Sequence, residues 1–474
     1  MKTKAIFSII LLVISCAIGF SQNTQKKPLS LDDCIKIALS NNLNLKKSKL
    51  STQTSEINYN QSRSNLLPNL NLNYTIGMNN GRSIDPYTNN YINQELTFSN
   101  AGLNIYTPIF NGFRILNSIK QKRFNLQVSE LEIEDAKQNL VLEVSLRYIQ
   151  ILNSRDLLEL AKSRLETTKK QLERIEVYYK EEVGNPADYT DMKGQYANDE
   201  VAIVNANNTL KLAVSNLIVL LNLDTVFEQS FEDVLGLVPS KIYPFSASDV
   251  YNDALRNLAT FKSKELKIDA ADLGIKIAKS NYFPEISFFG QLNTNYSSVA
   301  QLFTATGSSV TETGDFVTIG NQNHPVLRNQ RTLEGHRINY NNQFESNLSS
   351  VAGISVKMPL FNGFRAKREV LLQKIVLEES KVELENTKLL LKQSIENAYN
   401  NMESAYNRYQ IVLNQVVAFE ESFRINEVRF NNGVSNIVEY ITSKNSMDNA
   451  NLNLNNTKYE YLLRVKILDY YRGI

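Results

Sequence analysis

The heptapeptide Pro-x-Phe-Asn-Gly-Phe-Arg occurs twice in this chain, at Pro108–Arg114 and again at Pro359–Arg365. Each copy separates two incompatible patterns. Before it, apolar and polar residues alternate, the period of a strand. After it, neither Gly nor Pro occurs from Phe113 to Val183 or from Phe364 to Asn432. Such a run suits one long helix; at about 1.5 Å per residue the first would span roughly 100 Å, about three bilayer thicknesses. Each copy is therefore predicted to be a joint where a strand stops and a long helix starts. A duplicated joint predicts a duplicated architecture.

The rest of the chain keeps that register. Ala38-Leu39 returns as Ala254-Leu255 and Pro68 as Pro284, both 216 positions later. Pro108 returns as Pro359 after 251 positions and Gly184 as Gly433 after 249. The offset grows by 35 only between the two strands of the second half, so an insertion is expected there, about 297–342. It is rich in Gly, Asn, Thr and Ser, holds His324 and His336, and reads as a loop facing outside. The first repeat is placed at 23–245: helices, a strand hairpin about 69–107, a long helix 112–183, a return helix 187–223 and a linker. The second, 246–474, has helices, a hairpin about 285–358, a long helix 363–431 and a return helix 434–472.

The strands are two-faced. Leu70, Leu72, Tyr74 and Ile76 alternate with Asn69, Asn71, Asn73 and Thr75. The apolar face could meet a sandwich core, or it could meet lipid while the Asn face lines water. The partner strand, about 96–107, slips near Asn100–Gly102, which predicts a bulge. The helices carry seven-residue seams, at Ile151, Leu158, Leu165, Leu172 and Tyr179, and from Leu377 through Leu384, Leu391, Ala398, Ala405 and Val412 to Phe419. This is coiled-coil periodicity. Gly184 and Gly433 turn each long helix back.

Met1–Gln22 has a signal-peptide layout, with Lys2 and Lys4 before the apolar run Ala5–Phe20. That run is shorter than the roughly 20 residues of a membrane anchor, so cleavage near Ser21 or Gln22 is expected. Cys16 sits inside the apolar run rather than at its end, which argues against lipid attachment. Cys34 then remains alone, and a core position in the first helix is expected for it. The 51 basic and 49 acidic residues leave a formal charge of +2, so no large field points to nucleic acid. No phosphate-cradling Gly loop, metal-ligand spacing or Ser/His/Asp order occurs, and neither an enzyme nor a cofactor is expected.

If the strands lie in a membrane, four per chain cannot close a barrel, and open edges are not tolerated in lipid. Two chains supply eight strands and three supply twelve. A water-filled lumen makes three the smallest adequate number.

The duplicated helix-strand-strand-helix halves, the joints and the Gly-turned helical hairpins together resemble the TolC family of outer-membrane efflux proteins, over about Pro28 to Arg472. The resemblance implies an α+β membrane protein. In it a homotrimer contributes four transmembrane strands per chain to a twelve-stranded β-barrel, which a periplasmic α-helical coiled-coil barrel continues. It also implies a passive duct joined through a periplasmic adaptor to an inner-membrane pump of RND or ABC type. The cargo would be small molecules, with polypeptide export by a type I system as the alternative. An extracellular coiled-coil structural protein would explain the heptads but not the strands.

The resemblance further implies an acidic ring at the periplasmic mouth. Glu439 lies six positions after Gly433 and matches the family's acid. Ser435 and Thr442 stand where the family has an Arg and a second acid. In the first hairpin Thr190 holds the matching position, flanked by Asp188 and Asp191. At about 10 Å, two such charges repel by only about 0.4 kcal/mol in bulk water, so a ring would tune selectivity more than hold a gate. The tips Gly184, Asn185, Gly433, Ser435 and Asn436 are candidate adaptor contacts. Pro108, Phe110, Asn111 and Gly112, with Pro359, Phe361, Asn362 and Gly363, form the joints. There Pro is expected to end the strand, Phe to sit at the membrane edge, Asn to cap the helix and Gly to allow close passage.

Overall fold

The computed structural model describes residues 28–84, 89–223, 230–233 and 241–473. The expected signal segment, with Cys16, and much of the linker lie outside the described residues. Helix α1 is Leu31–Asn41 and α2 is Leu43–Ser64. Strands β1 (Asn69–Asn79), β2 (Arg82–Ile84), β3 (Tyr91–Asn93) and β4 (Leu96–Asn111) follow. Then come α3 (Arg114–Lys180) and α4 (Pro186–Leu221).

The second half repeats the order with α5 (Ala247–Asn257), α6 (Ala259–Lys279) and β5 (Glu285–Ser297). It inserts β6 (Gln301–Ile319), β7 (Gln322–Arg337) and a short α7 (Tyr340–Ser346). It then closes with β8 (Ser349–Lys357), α8 (Arg365–Asn431) and α9 (Ile437–Arg472). The repeat extends to the caps. Ser30 and Asp33 form a capping box on α1, and Ser246 and Asp249 form the same box on α5, each satisfying two otherwise orphaned donors.

Two compact units emerge, and neither coincides with a sequence repeat. One takes the chain up to Ser55, Asn125–Lys267 and Glu379–Ile474; the other takes Glu56–Phe124 and Ile268–Glu378. The first unit is helical. Cys34, Ala38, Val144, Tyr148, Leu217 and Leu221 share one core, and Val250, Ala254, Ile395, Met402 and Leu468 share another. Burial pushes the Cys34 thiol up to about 12, as an inert core residue requires. The seam on α8 is buried at Leu391, Ala398, Ala405 and Val412. On α3 the small residues Ser154 and Thr168 are buried in it as well.

The second unit holds a four-stranded antiparallel sheet in the order β1-β4-β5-β8. The ladder runs without a break through Asn100, Ala101 and Gly102, so the bulge expected there is absent. The register instead shifts between Pro108 and Phe110, where proline has no N–H to give the ladder. The expected loop 297–342 is largely a β-ribbon formed by β6 and β7, exposed along nearly its whole length. His324 and His336 sit opposite Val317 and Leu302 on it. Among the described residues no helix is long and apolar enough to cross a membrane, and none of the His, Cys, Asp and Glu groups could hold a metal ion.

Candidate channel wall, joints and hairpin tips

Cross-strand partners share a face of a sheet, so the register sorts the side chains. On one face Asn71 meets Asn104 and then Gln291, Asn73 meets Gly102 and then Asn293 and Ser349, and Thr75 meets Asn100 and then Asn295. On the other, Leu70 meets Ile105, Leu72 meets Leu103 and then Leu292, and Phe288 meets Ile354. The apolar face is bare: Leu72 is 73% exposed. A sheet with one amide-lined face and one exposed apolar face separates water from lipid.

Strands β1 and β8 are the free edges of this sheet. The helices have edges too. In the helical unit Thr52 and Ser55 of α2 hydrogen-bond Ser129 of α3. Glu132 of α3 pairs with Lys267 of α6, and Lys264 of α6 with Glu383 of α8. The lateral order is therefore α2-α3-α6-α8. The two outermost helices carry exposed apolar stripes at seven-residue spacing: Leu43, Leu50 and Ile57 on α2, and Ile375, Val382 and Leu389 on α8. The four-helix order is thus bounded by α2 and α8, and the sheet by β1 and β8.

At the first joint β4 continues through Pro108, Phe110 and Asn111, and α3 begins at Arg114 rather than at 112. Gly112 and Phe113 both take positive φ, +64° and +62°. A left-handed Phe costs roughly 1–2 kcal/mol. Its ring meets Phe110 edge to face at 5.3 Å, a contact of similar worth. The Asn111 side chain accepts from the Ile115 N–H at 3.3 Å, as a cap. At the second joint β8 stops at Lys357, before Pro359, and α8 begins at Arg365 rather than at 363. Gly363 and Phe364 repeat the pair at +61° and +59°, and Phe361 meets Phe364 at 5.6 Å. Here the Asn362 backbone carbonyl, not its side chain, takes the Arg365 N–H. Phe361 is 77% exposed.

The tips close differently from each other. At the first, Glu182 rather than Gly184 holds the left-handed position, φ +58°. A Cβ on Gly184 would lie 3.1 Å from that of Tyr178. Asn185 caps α4, which starts at Pro186, and donates to Asp188 at 3.2 Å. The Asp188 carboxyl is raised above its ordinary range, first by burial and then by Asp191. At the second tip Gly433 itself is left-handed, φ +76°. Asn436 caps α9, which starts at Ile437, and Glu439 lies 3.8 Å from Arg429, both half-exposed. Arg429 thus supplies a cation that Ser435 cannot.

One cluster escaped the reading of the sequence. Asp199 of α4 and Lys444 of α9 are fully buried, 3.6 Å apart. Arg164 of α3 reaches Asp199 at 2.7 Å and Asp448 at 3.2 Å, and Lys444 reaches Asp448 at 2.7 Å. Thr168 and Gln195 donate to Asp199 as well. Two cations and two carboxylates cancel inside three helices.

The profile of a family described as outer membrane efflux protein matches residues 34–223 and 250–471. This chain belongs to that family. No curated protein sequence matches it. Among solved structures, the Vibrio cholerae outer membrane protein VceC aligns with TM-score 0.72 at 13% identity, over 94% of this chain and 96% of that one. The Campylobacter jejuni CmeC outer membrane channel aligns at 0.74 and 15%, over 94% and 85%. The open state of the Neisseria gonorrhoeae MtrE outer membrane channel aligns at 0.69 and 17%, over 94% and 88%. The fold is that of outer-membrane efflux channels. The protein is accordingly an outer-membrane efflux channel rather than an enzyme, and its helices extend into the periplasm.

Proposed function

We propose that three copies close edge to edge into a twelve-stranded barrel continued by a helical tube, and that the assembly is the passive exit duct of a tripartite efflux system for small molecules. The observation that carries this is the matched pair of edges. Strands alternate in direction across the sheet, and four per chain lets β8 of one copy meet β1 of the next antiparallel. The same step brings the exposed stripe on α8 against that on α2. Unpaired edges are too costly in lipid, and twelve strands leave a lumen that eight would fill. The amide face then lines water.

The tips, Gly184 and Asn185 with Gly433, Ser435 and Asn436, meet a periplasmic adaptor that couples the duct to an inner-membrane pump. Glu439, Asp188 and Asp191 put negative charge around the mouth. The closure is tested by cysteine pairs placed on β1 and β8, with Cys34 replaced by serine. Covalent dimers and trimers are expected from some registers, and monomers from every register would overturn it. Deletion should raise susceptibility to dyes, detergents and antibiotics. Unchanged susceptibility with loss of a secreted polypeptide would move the duct to type I export.

A further inference from the structure

Both joints open onto one cavity of about 650 Å3 within the sheet-bearing unit. Arg114, Lys357 and Arg365 bring three positive charges to its lining, and Glu285 and Glu369 bring two negative ones. The cations are loosely held. Arg114 is 3.9 Å from Glu285, and the pair is substantially exposed. Arg365 donates to the Asn362 carbonyl at 3.2 Å, and Glu369 accepts from the Gln373 amide at 3.1 Å. Neither α3 nor α8 has an acid in its first turn to offset its arginine.

The register gives the cavity a side. Asn111 and Lys357 are both partners of Glu285. Alternation along β5 puts Glu285 on the face of Gln291 and Asn293, the amide-lined one. The cavity therefore opens toward the side that lines water if the barrel closes as proposed.

We propose that this cavity is a binding point for the anionic groups of solutes crossing the duct, carboxylate or phosphate. Three copies make a cationic collar where strands give way to helices. Arg guanidinium forks suit such groups geometrically, and Lys357 adds a point charge. Each site is open to water and partly offset by its two acids, so it holds an anion briefly and releases it, as conduction requires. The proposal rests on the duct reading above.

The test uses the full-length protein in planar lipid bilayers with inorganic triphosphate as the probe. Triphosphate is expected to lower the single-channel current. The K357Q/R365Q variant should weaken that block about fivefold, and E285Q/E369Q should strengthen it. Raising KCl from about 0.1 M to about 1 M should abolish most of it, as the screening length falls from ~10 Å to ~3 Å. K357Q alone, at an exposed edge-strand residue, guards against misfolding; its channels should still conduct KCl, at a level set by the lost charge, and show a weaker triphosphate block than the parent. Conducting channels indifferent to triphosphate, or variants blocked like the parent, overturn the collar alone. Failure to form conducting channels under any condition overturns the duct reading and the collar with it.

Discussion

The two joints share six of seven residues and a nearly identical pair of left-handed residues, yet their surroundings differ. The first ends β4, a central strand. A Cβ on Gly112 would lie 2.8 Å from the Phe283 Cβ and from the Ser280 carbonyl oxygen. The second follows β8, an edge strand, and nothing lies within 4 Å of a Cβ on Gly363. Leu360 beside it is 90% exposed. One joint is packed inside the chain; the other is left open. A similar contrast separates the buried centre of the helical unit, where charges pair among α3, α4 and α9, from α2 and α8, where apolar stripes are bare. It predicts which substitutions harm the chain itself and which act only through assembly.

The largest expected effect lies at the centre. Lys444→Met would leave Asp199 and Asp448 with Arg164 alone. Removing one member of a buried ion cluster typically costs 3–5 kcal/mol because the charge left behind has lost its solvation. Urea titration in detergent, followed by helical circular dichroism, should show a loss of that order. Replacing Asp448 by Leu as well restores neutrality and should recover most of it. A Lys444→Met chain as stable as the parent would mean that the cluster is not intramolecular support, and the contrast between centre and edge would fail.

Next in size is the pair of joint glycines. Gly112→Ala meets both the left-handed penalty and backbone crowding, about 3 kcal/mol together. Gly363→Ala meets only the penalty, about 1 kcal/mol. The comparison is made on unassembled chains and again on the assembled channel by heat-modified migration. If Gly363→Ala becomes as damaging as Gly112→Ala only after assembly, a neighbouring copy fills the space beside the second joint, and the comparison sharpens.

These differences mark what the sequence could and could not say. Strand faces were legible because alternation is a local property of Leu70 to Ile76, and the duplicated heptapeptide located both joints. It could not distinguish Gly112 from Gly363, since the difference lies in what packs beside them. The ribbon of β6 and β7 looks like a loop along the sequence because its register shifts, after Ala305 and after Glu312, break the period. The true bulge followed from proline chemistry at Pro108, not from the slip in hydrophobicity near Asn100. Asp199 and Lys444 resemble ordinary helix-surface charges along the chain. Only their meeting, 245 positions apart, gives them a role.

The smallest effect separates the two tips. Asp188 has its carboxyl raised by burial and by Asp191. A carboxyl raised in the folded state binds protons more readily there than in the unfolded chain. Its ionised form therefore weakens the fold at neutral pH, and that cost disappears as pH falls through the folded value. Asp188→Asn should accordingly slow amide exchange around residues 183–190 slightly at neutral pH, with the difference gone in acid. Glu439 sits instead beside Arg429 at half-exposed range, worth at most about 1 kcal/mol. Glu439→Gln should lose that small contribution and lower cation selectivity, leaving the triphosphate block at the joints unchanged. Unchanged amide exchange in Asp188→Asn at neutral pH, or unchanged reversal potentials in Glu439→Gln, would remove the distinction between a tip whose acid is strained and one whose acid is paired. In that case charge at the mouth would have to come from Asp191 or from a neighbouring copy.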